Sequence, residues 1–330
     1  MTDHTSEKHP VAGILMLCLA LLLSSQESFA ETHLSIMSFN IWGGGLNDGK
    51  STMPTVAAIR ASGADIIGLQ EVRGESVPCT GTYCPAAGES VAPRLAEALG
   101  FHYHEQTTQN DALWANAILS RFPIMETTPH DLGVRINVNG LVVYLFNIHP
   151  TDYPYQPYQL LDIPYDDAPF LSTAEKAVQS AEQTRSLAFQ LLERDLALAS
   201  DASLVAITGD FNEPSHLDWT TAAATAGLHP MAVPWPLSRA IVNKGFTDSY
   251  RAIYPDEVTH PGFTWSPLIS AHTTDDHRDR IDFVYVAGRD ITISGAAVMG
   301  ENQANADIVI NPWPSDHRAI VARVSIAEPD

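Results

Sequence analysis

Eight side chains with the chemistry to bind a metal, move protons or contact a phosphate stand at or next to the ends of short apolar runs. They are carboxylates, imidazoles and carboxamides, and no cysteine is among them. If these ends meet at one edge of a folded sheet, they form a cluster of hard oxygen ligands with two imidazoles. Such a cluster suits Mg²⁺ or Mn²⁺ better than zinc. The residues are Asn40, Glu71, His149, Asp210, Asn212, Asp282, Asp316 and His317.

Glu71 carries the strongest individual signal in this set. It follows the apolar run ADIIGLQ, and a buried carboxylate is costly unless it meets a cation. We therefore expect Glu71 to bind a metal. Asp210 and Asn212 lie two residues apart in GDFN, so they can share one side of the backbone, although Gly and Asn also favour an ordinary turn. For Asn40, satisfying the polar end of a strand is the plainer alternative.

The elements that must position these residues are short strand-like runs. Eight runs have the length and the β-branched content of strands. They are 34–42, 64–72, 115–120, 141–150, 203–212, 280–286, 291–298 and 319–326.

Helical segments separate some of these runs. Two are predicted to end at Gly63 and Gly100 as C-terminal caps, and the longest covers about 173–199 with Ser172 and Glu175 as a capping box. Strands and helices that mix without strict alternation predict an α/β (α+β) protein. Its sheets are not purely parallel, and its helices pack outside them.

Composition limits the function classes. The 330-residue chain is 45% apolar and 17% charged, which excludes a disordered or multi-span membrane protein. Its formal net charge is −21, so its long-range field repels nucleic-acid phosphates. Any phosphate chemistry must therefore neutralise charge locally.

The first residues have the shape of a secretory signal. Residues 11–23, VAGILMLCLALLL, are apolar and uncharged, and SSQESFA follows with small residues before a cleavage site. We expect a signal peptide over 1–30, cleavage after Ala30, and a secreted or periplasmic catalytic domain over 31–330. The leading segment has little positive charge, which leaves an uncleaved anchor as the alternative.

Cys79 and Cys84 stand close together in CTGTYCP and would be the only cysteines after cleavage. In an oxidising compartment they are expected to form one small disulfide. A metal or redox pair is the alternative.

Seven motifs together resemble a known family. SFNIW, LQEV, NAILSRFPI, NIHP, GDFN, RIDFVY and SDHRAI occur in the order typical of the endonuclease/exonuclease/phosphatase superfamily. That superfamily includes DNase I-like nucleases, apurinic endonucleases, inositol polyphosphate 5-phosphatases and neutral sphingomyelinases. The resemblance covers residues 34–326 and implies a four-layer, DNase I-like sandwich of two mixed β-sheets flanked by helices.

The resemblance also implies a metal site. Glu71 becomes the principal ligand of Mg²⁺ (or Mn²⁺), with Asn40 and Asp316 nearby. The metal would offset the charge that develops on a phosphate ester, which explains how an acidic protein tolerates an anionic substrate.

The remaining residues take catalytic roles by the same resemblance. Asp282 orients His317, which serves as the general base that prepares water. His149 binds the phosphoryl oxygens or assists as an acid, and Asp210 and Asn212 lie against the nucleophile and the scissile phosphate. The other histidines of the chain are expected to be structural or surface residues.

These inferences predict an exported Mg²⁺-dependent phosphoesterase of the nuclease/phosphodiesterase type. In-line attack of water would cleave a nucleic acid, a small phosphoester or a phospholipid headgroup. A phosphomonoesterase, a sphingomyelinase-like lipid phosphodiesterase and a non-catalytic secreted binding module are the alternatives. No basic stripe favours nucleic acid, only 234–242 is a weak candidate for lipid docking, and no protein partner is implied.

Several further features allow two readings. HTTDDHRDR (272–280) is either a second metal site, for example for calcium, or a solvated loop, and Arg280 within it is a candidate phosphate contact. The tyrosines of TDYPYQPYQ (151–159) either line a substrate mouth or pack a rigid loop. Asn116 is the nearest polar candidate for a partner of His149.

Overall fold

Two mixed β-sheets stack face to face in this protein, whose computed structural model describes residues 1–2, 31–75, 85–269 and 276–327. Most of the expected signal peptide and both Cys79 and Cys84 lie outside these ranges, so the leader and the disulfide stay predictions. Among the described helices, none has the length and apolar character needed to cross a membrane.

Each of the eight strand-like runs in the sequence contains a strand, and further strands complete the sheets. The strands are β1 (Glu31–Asn40), β2 (Ile66–Gln70), β3 (Gly74–Glu75), β4 (Ala86–Ala87), β5 (His102–Gln106), β6 (Asn116–Ser120), β7 (Ile124–Thr127), β8 (Gly133–Val138), β9 (Leu141–Ile148), β10 (Leu204–Asp210), β11 (Thr247–Asp248), β12 (Asp282–Gly288), β13 (Ile291–Gly300), β14 (Ile308–Val309) and β15 (Ala319–Ala327).

The first sheet has the strand order β14-β13-β15-β1-β2-β6-β5, and the second has the order β11-β12-β10-β9-β8-β7. The β1–β2 and β9–β10 pairs are parallel, whereas β15 and β12 run antiparallel beside them. Parallel strands place their carboxyl ends at one sheet edge, and the antiparallel neighbours begin at that same edge. The central strands of both sheets therefore meet at one end of the sandwich.

Helices cover the outer faces. They are α1 (Trp42–Gly45), α2 (Met53–Ser62), α3 (Ala92–Leu99), α4 (Gln156–Leu161), α5 (Ala174–Leu196), α6 (Thr221–Thr225), α7 (Pro236–Asn243) and α8 (Ser249–Ile253). As predicted, α2 and α3 end on Gly63 and Gly100, which have left-handed backbone angles. The predicted capping box is displaced by one residue, because Thr173 rather than Ser172 accepts from the Lys176 amide at the start of α5.

Alternating side chains of each central strand supply three apolar layers. Ile36 and Leu145 belong to the core between the sheets. Met37 faces the other way, in the cluster formed with α2 and α3, and Phe146 packs in the cluster formed with α5 and α7. The predicted α/β (α+β) sandwich of two mixed sheets flanked by helices is confirmed.

Segment 234–242 is not a lipid-docking surface. It contains most of α7, whose Leu237 and Ile241 are buried in the same cluster as Leu192 of α5. The apolar side of this helix therefore packs inside the protein.

Beneath the shared end of the sandwich, buried polar side chains join the sheets. We call Ser38, Gln70, Asn147 and Thr208 the inter-sheet polar bridge. Gln70 Nε2 donates to Asn147 Oδ1 at 2.6 Å, Thr208 Oγ1 donates to the same oxygen at 3.2 Å, and the Gly209 amide donates to Ser38 Oγ at 3.0 Å. These directional bonds fix the position of one sheet against the other.

Candidate active site

All eight sequence-predicted site residues lie at that end of the sandwich, divided between the two sheets. Asn40 ends β1 and Glu71 follows β2, while Asp316 and His317 stand just before β15. His149 and Asn212 follow β9 and β10, and Asp210 and Asp282 are direct cross-strand neighbours of β10 and β12. The first sheet therefore contributes Asn40, Glu71, Asp316 and His317, and the second contributes His149, Asp210, Asn212 and Asp282.

Two imidazoles flank one carboxylate at the centre of the site. Oδ2 of Asp210 lies 3.5 Å from Nε2 of His149 and 3.6 Å from Nε2 of His317. Nδ1 of His317 lies 2.9 Å from Oδ2 of Asp282, and all four side chains are buried. Because Nδ1 faces a carboxylate, it carries the proton, and Nε2 is directed toward Asp210.

Burial and charge perturb this pair strongly. Burial lowers the pKa of His317, but the Asp282 and Asp210 carboxylates outweigh it and hold that pKa well above the usual 6.5. Burial, with Asp210 adding to it, raises the pKa of Asp282. The pair therefore holds a proton tightly when no cation compensates the surrounding carboxylates.

Glu71 is positioned by amide donors from Asn40, which ends β1, and from Gly43 in α1. Asn40 Nδ2 donates to Glu71 Oε1 at 2.9 Å and to Asp210 Oδ2 at 3.0 Å, and the Gly43 amide donates to Glu71 Oε2 at 3.0 Å. Glu71 has a φ of 58°, a left-handed conformation that is uncommon outside glycine and clusters at functional sites. Asn40 therefore joins the carboxylates of both sheets.

Asp316 completes the oxygen-rich side of the site. Burial raises its pKa to about 6, with Glu71 and Asp210 adding to the effect. Ser315, which the sequence did not single out, donates from Oγ to the Asn40 carbonyl at 2.7 Å and accepts from the His317 amide at 3.0 Å. This serine fixes the Asp316 segment to the end of β1.

His149 takes its orientation from a backbone group. Its Nδ1 donates to the Trp114 carbonyl at 3.2 Å, which leaves Nε2 facing Asp210. Asn116, the candidate partner from the sequence, instead accepts from the Trp114 amide at 3.2 Å. Asn212 donates from Nδ2 to the Pro150 carbonyl at 3.0 Å, so it fixes the segment that follows His149.

Arg280 does not reach this site. Its buried guanidinium donates to Asp218 and Asp248, with Nη2 2.9 Å and 2.8 Å from their oxygens. The expectation that it contacts a phosphate is wrong, because both carboxylates already occupy its donors.

The site opens into a cleft of about 930 Å³. Aromatic rings form its walls, and its described lining includes seven carboxylates but no lysine or arginine. The aromatic lining residues are Trp114, Tyr155, Tyr158, Tyr165 and Trp265.

The tyrosines of this wall are held by aspartates. Tyr155 donates to Asp279 Oδ2 at 2.7 Å, and Tyr158 donates to Asp276. Of the two readings of 151–159, the structure supports a cleft wall for Tyr155 and Tyr158, whereas Tyr153 is not among the lining residues.

The donor set fits a hard divalent cation. Glu71, Asn40 and Asp316 offer oxygen ligands, and burial together with the Glu71 and Asp210 carboxylates keeps the pKa of Asp316 raised although His317 opposes this effect. Two groups of described residues bring histidine and aspartate ligand atoms within 4.8 Å of one another. One is Asp210, Asp282 and His317. The other is His229, His277 and Asp279.

Comparison with known proteins gives relatives along most of the chain. An uncharacterized protein of Caenorhabditis elegans is 26% identical over 326 residues, which is 94% of this chain and 97% of that protein. The structure of a 3′ phosphatase, NExo, from Neisseria superposes with a TM-score of 0.51 and 19% identity, covering 88% of this chain and 98% of that one. The structure of a humanized D. rerio TDP2 superposes with a TM-score of 0.50 and 17% identity, covering 88% of this chain and 98% of that one.

The model of the Endonuclease/Exonuclease/phosphatase family matches residues 37–317, a span that contains all eight site residues. The fold, the site and this match agree with the resemblance seen in the sequence. Enzymes of this family depend on a divalent metal, in keeping with the acidic and imidazole groups gathered here. The chain belongs to the endonuclease/exonuclease/phosphatase family and is a phosphoester hydrolase.

Proposed function

We propose that this protein is an exported, Mg²⁺-dependent (or Mn²⁺-dependent) enzyme that hydrolyses a small phosphate ester by in-line attack of water. The observation that carries the proposal is the position of Asp210 Oδ2 between the Nε2 atoms of His149 and His317, at 3.5 Å and 3.6 Å. Two proton-transfer groups therefore face one small volume at the bottom of the cleft.

His317 acts as the general base in this proposal. Asp282 orients it through the 2.9 Å bond to Nδ1, so Nε2 accepts a proton from the attacking water once the imidazole is neutral. His149, oriented by the Trp114 carbonyl, binds a phosphoryl oxygen or protonates the leaving group. No covalent enzyme intermediate is required.

Glu71, with Asn40 and Asp316, would hold the metal. A bound Mg²⁺ offsets the negative charge that develops on the phosphoryl oxygens in the transition state. Asn40 contributes in a second way, because its amide also donates to Asp210 and so links the metal ligands to the proton-transfer groups.

The cleft favours a small substrate over nucleic acid. Its described lining has no lysine or arginine to neutralise backbone phosphates, and the chain carries a formal net charge of −21. The solved Neisseria relative is a 3′ phosphatase bound to a product DNA hairpin, so nucleic acid is the competing substrate class. A phosphomonoester remains an alternative to a diester.

A second candidate is a lipid phosphodiesterase of the sphingomyelinase type. The aromatic wall of Tyr155, Tyr158 and Trp265 stands among carboxylates, with ring centroids 5.0 to 5.9 Å apart. Aromatic faces combined with negative charge bind quaternary ammonium groups such as choline. This wall favours a phosphodiester that carries a cationic headgroup.

The test compares four substrates with the purified enzyme: bis-p-nitrophenyl phosphate, p-nitrophenyl phosphate, sphingomyelin vesicles and plasmid DNA. Each is assayed with Mg²⁺ and with EDTA. We expect metal-dependent turnover of a small ester or of sphingomyelin that is lost in His317→Ala and kept in His102→Ala, which alters an exposed histidine. Faster cleavage of plasmid would overturn the preference for small substrates. Equal metal-dependent activity of wild type and His317→Ala would show that His317 is not the general base.

Export has its own test. Amino-terminal sequencing of protein recovered outside the cytoplasm is expected to begin at Glu31, and a start at Met1 would show an uncleaved anchor. Thiol alkylation before and after reduction then tests the Cys79–Cys84 disulfide, and equal labelling in both samples would contradict it.

A further inference from the structure

A second cluster of metal-ligating side chains lies beside the active-site cleft. Nδ1 of His229 lies 3.1 Å from Nε2 of His277, and each of these nitrogens lies 3.8 Å from Oδ1 of Asp279. The cluster is joined to the cleft wall, because Asp279 Oδ2 accepts from the Tyr155 hydroxyl at 2.7 Å. None of these three residues belongs to the phosphoesterase site described above.

The three ligand atoms have the spacing of a small metal site. The nearest point equidistant from all three lies in their plane, about 2.1 Å from each, which is close to the usual Zn–N and Zn–O distances. The 3.1 Å contact between the two imidazoles is itself a hydrogen bond, but no hydrogen bond joins either imidazole to Asp279 Oδ1. The separation of 3.8 Å between each imidazole and Asp279 Oδ1 is too long for a hydrogen bond.

Neighbouring side chains hold the ligands in place. Trp219 stacks on the His229 ring at a centroid distance of 4.4 Å and donates from Nε1 to Asp279 Oδ1 at 2.8 Å. The side chains of His229 and Asp279 are 3% and 0% exposed, whereas that of His277 is 15% exposed and offers an entry path. Carboxylates that bind metals are commonly held by such outer hydrogen bonds.

We propose that His229, His277 and Asp279 bind a zinc-class transition-metal ion with water at the fourth position. Two imidazole nitrogens with one carboxylate oxygen suit zinc better than calcium or magnesium, which prefer oxygen ligands. The ion would connect His277 and Asp279, which lie just before β12, to His229, and it would fix Asp279 behind Tyr155. This structural role is independent of the proposed phosphoesterase chemistry.

The test measures zinc binding in the presence of excess Mg²⁺, which occupies the oxygen-rich active site. Metal-free enzyme is titrated with Zn²⁺, the bound metal is quantified by mass spectrometry, and Co²⁺ absorption reports nitrogen ligands. The variants are His277→Gln and His229→Gln. The controls are His102→Gln, an exposed histidine, and Glu71→Gln, which removes the active-site ligand.

We expect one zinc ion per chain in wild type and in both controls, and at least a tenfold loss of affinity in His277→Gln and His229→Gln. His277 is the decisive position, because its partly exposed side chain can be replaced with little risk to folding, which circular dichroism checks. Unchanged zinc affinity in His277→Gln would overturn the proposal. Loss of zinc in Glu71→Gln alone would place the ion in the active site and overturn it as well.

Discussion

The hydrogen bond between His317 Nδ1 and Asp282 Oδ2, 2.9 Å long, crosses from one sheet to the other. Asp282 begins β12 of the second sheet, whereas His317 precedes β15 of the first. Oδ1 of Asp282 has no hydrogen-bond partner in the described part of the chain. Burial of both side chains makes this bond a sensitive point for substitution.

Replacing Asp282 with asparagine is expected to lower kcat by the order of 10³-fold, because an amide can donate to Nδ1 and so stabilise the wrong tautomer of the histidine. KM should change little. Steady-state kinetics with a chromogenic diester measure both constants. Asp201→Asn, at an exposed carboxylate, serves as the control. If Asp282→Asn retained the wild-type kcat, His317 would not be the general base.

Glu71→Gln is expected to raise the Mg²⁺ concentration for half-maximal activity at least tenfold, because it removes a charged oxygen ligand while preserving the side-chain shape. Glu75→Gln, at an exposed carboxylate on the cleft rim, should leave that concentration within twofold of wild type. Metal titrations of activity provide the measurement. Equal shifts in the two variants would mean that general charge, rather than ligation by Glu71, holds the metal.

The buried carboxyl group of Glu213 is expected to make the free energy of unfolding depend on pH. Burial raises its pKa to about 7, although Arg185, 3.9 Å away, partly opposes this. The unfolded chain releases this proton near its ordinary pKa of 4.5 and the folded chain releases it near 7, so this group's contribution to stability falls as pH rises between these values. The loss amounts to about 3 kcal/mol at most.

Urea unfolding at about pH 5 and about pH 8 tests this effect. In Glu213→Gln the fall in unfolding free energy between the two conditions should be smaller than in wild type. Glu182→Gln removes a nearby exposed carboxylate and should behave like wild type. Parallel pH profiles for all three proteins would refute the assignment.

Gly68 is expected to tolerate no side chain. An added Cβ would meet Thr208 Oγ1 at 2.0 Å and Asn147 Oδ1 at 2.5 Å, within the inter-sheet polar bridge. Gly68→Ala should therefore cost about 1–3 kcal/mol of unfolding free energy and lower kcat as the sheets shift. Gly74→Ala, where an added Cβ meets nothing within 4 Å, is the matched control. Thermal unfolding and turnover would be measured for both variants. Wild-type stability and kcat in Gly68→Ala would contradict the assigned role of the bridge.

Much of the fold could be predicted because its signals are local. A buried central strand is a run of apolar residues in the sequence. A polar residue at the end of such a run can be identified even when the residues it contacts are unknown. β5 was missed because HYHEQ is polar and lies at a sheet edge. The short β8 was missed because Gly133 and Arg135 interrupt its apolar pattern.

The unpredicted parts of the site depend on contacts between distant segments. The Trp114 carbonyl that orients His149 is a backbone group, so no residue type marks it. Ser315 acts through its bond to the Asn40 backbone, 275 residues away. Of the segment 272–280, which the sequence marked as a candidate second metal site, residues 276–280 are described and include His277 and Asp279. His229 was missed because it lies 48 residues before His277, a spacing that matches no short metal-binding motif.

The inter-sheet polar bridge has a consequence for refolding. Each sheet carries four of the eight site residues, so strands formed separately hold only half of the catalytic groups. The halves meet across the interface at which Gln70 Nε2 donates to Asn147 Oδ1. We therefore expect turnover to recover only when the two sheets dock, and so later than the far-ultraviolet circular dichroism signal after dilution from denaturant.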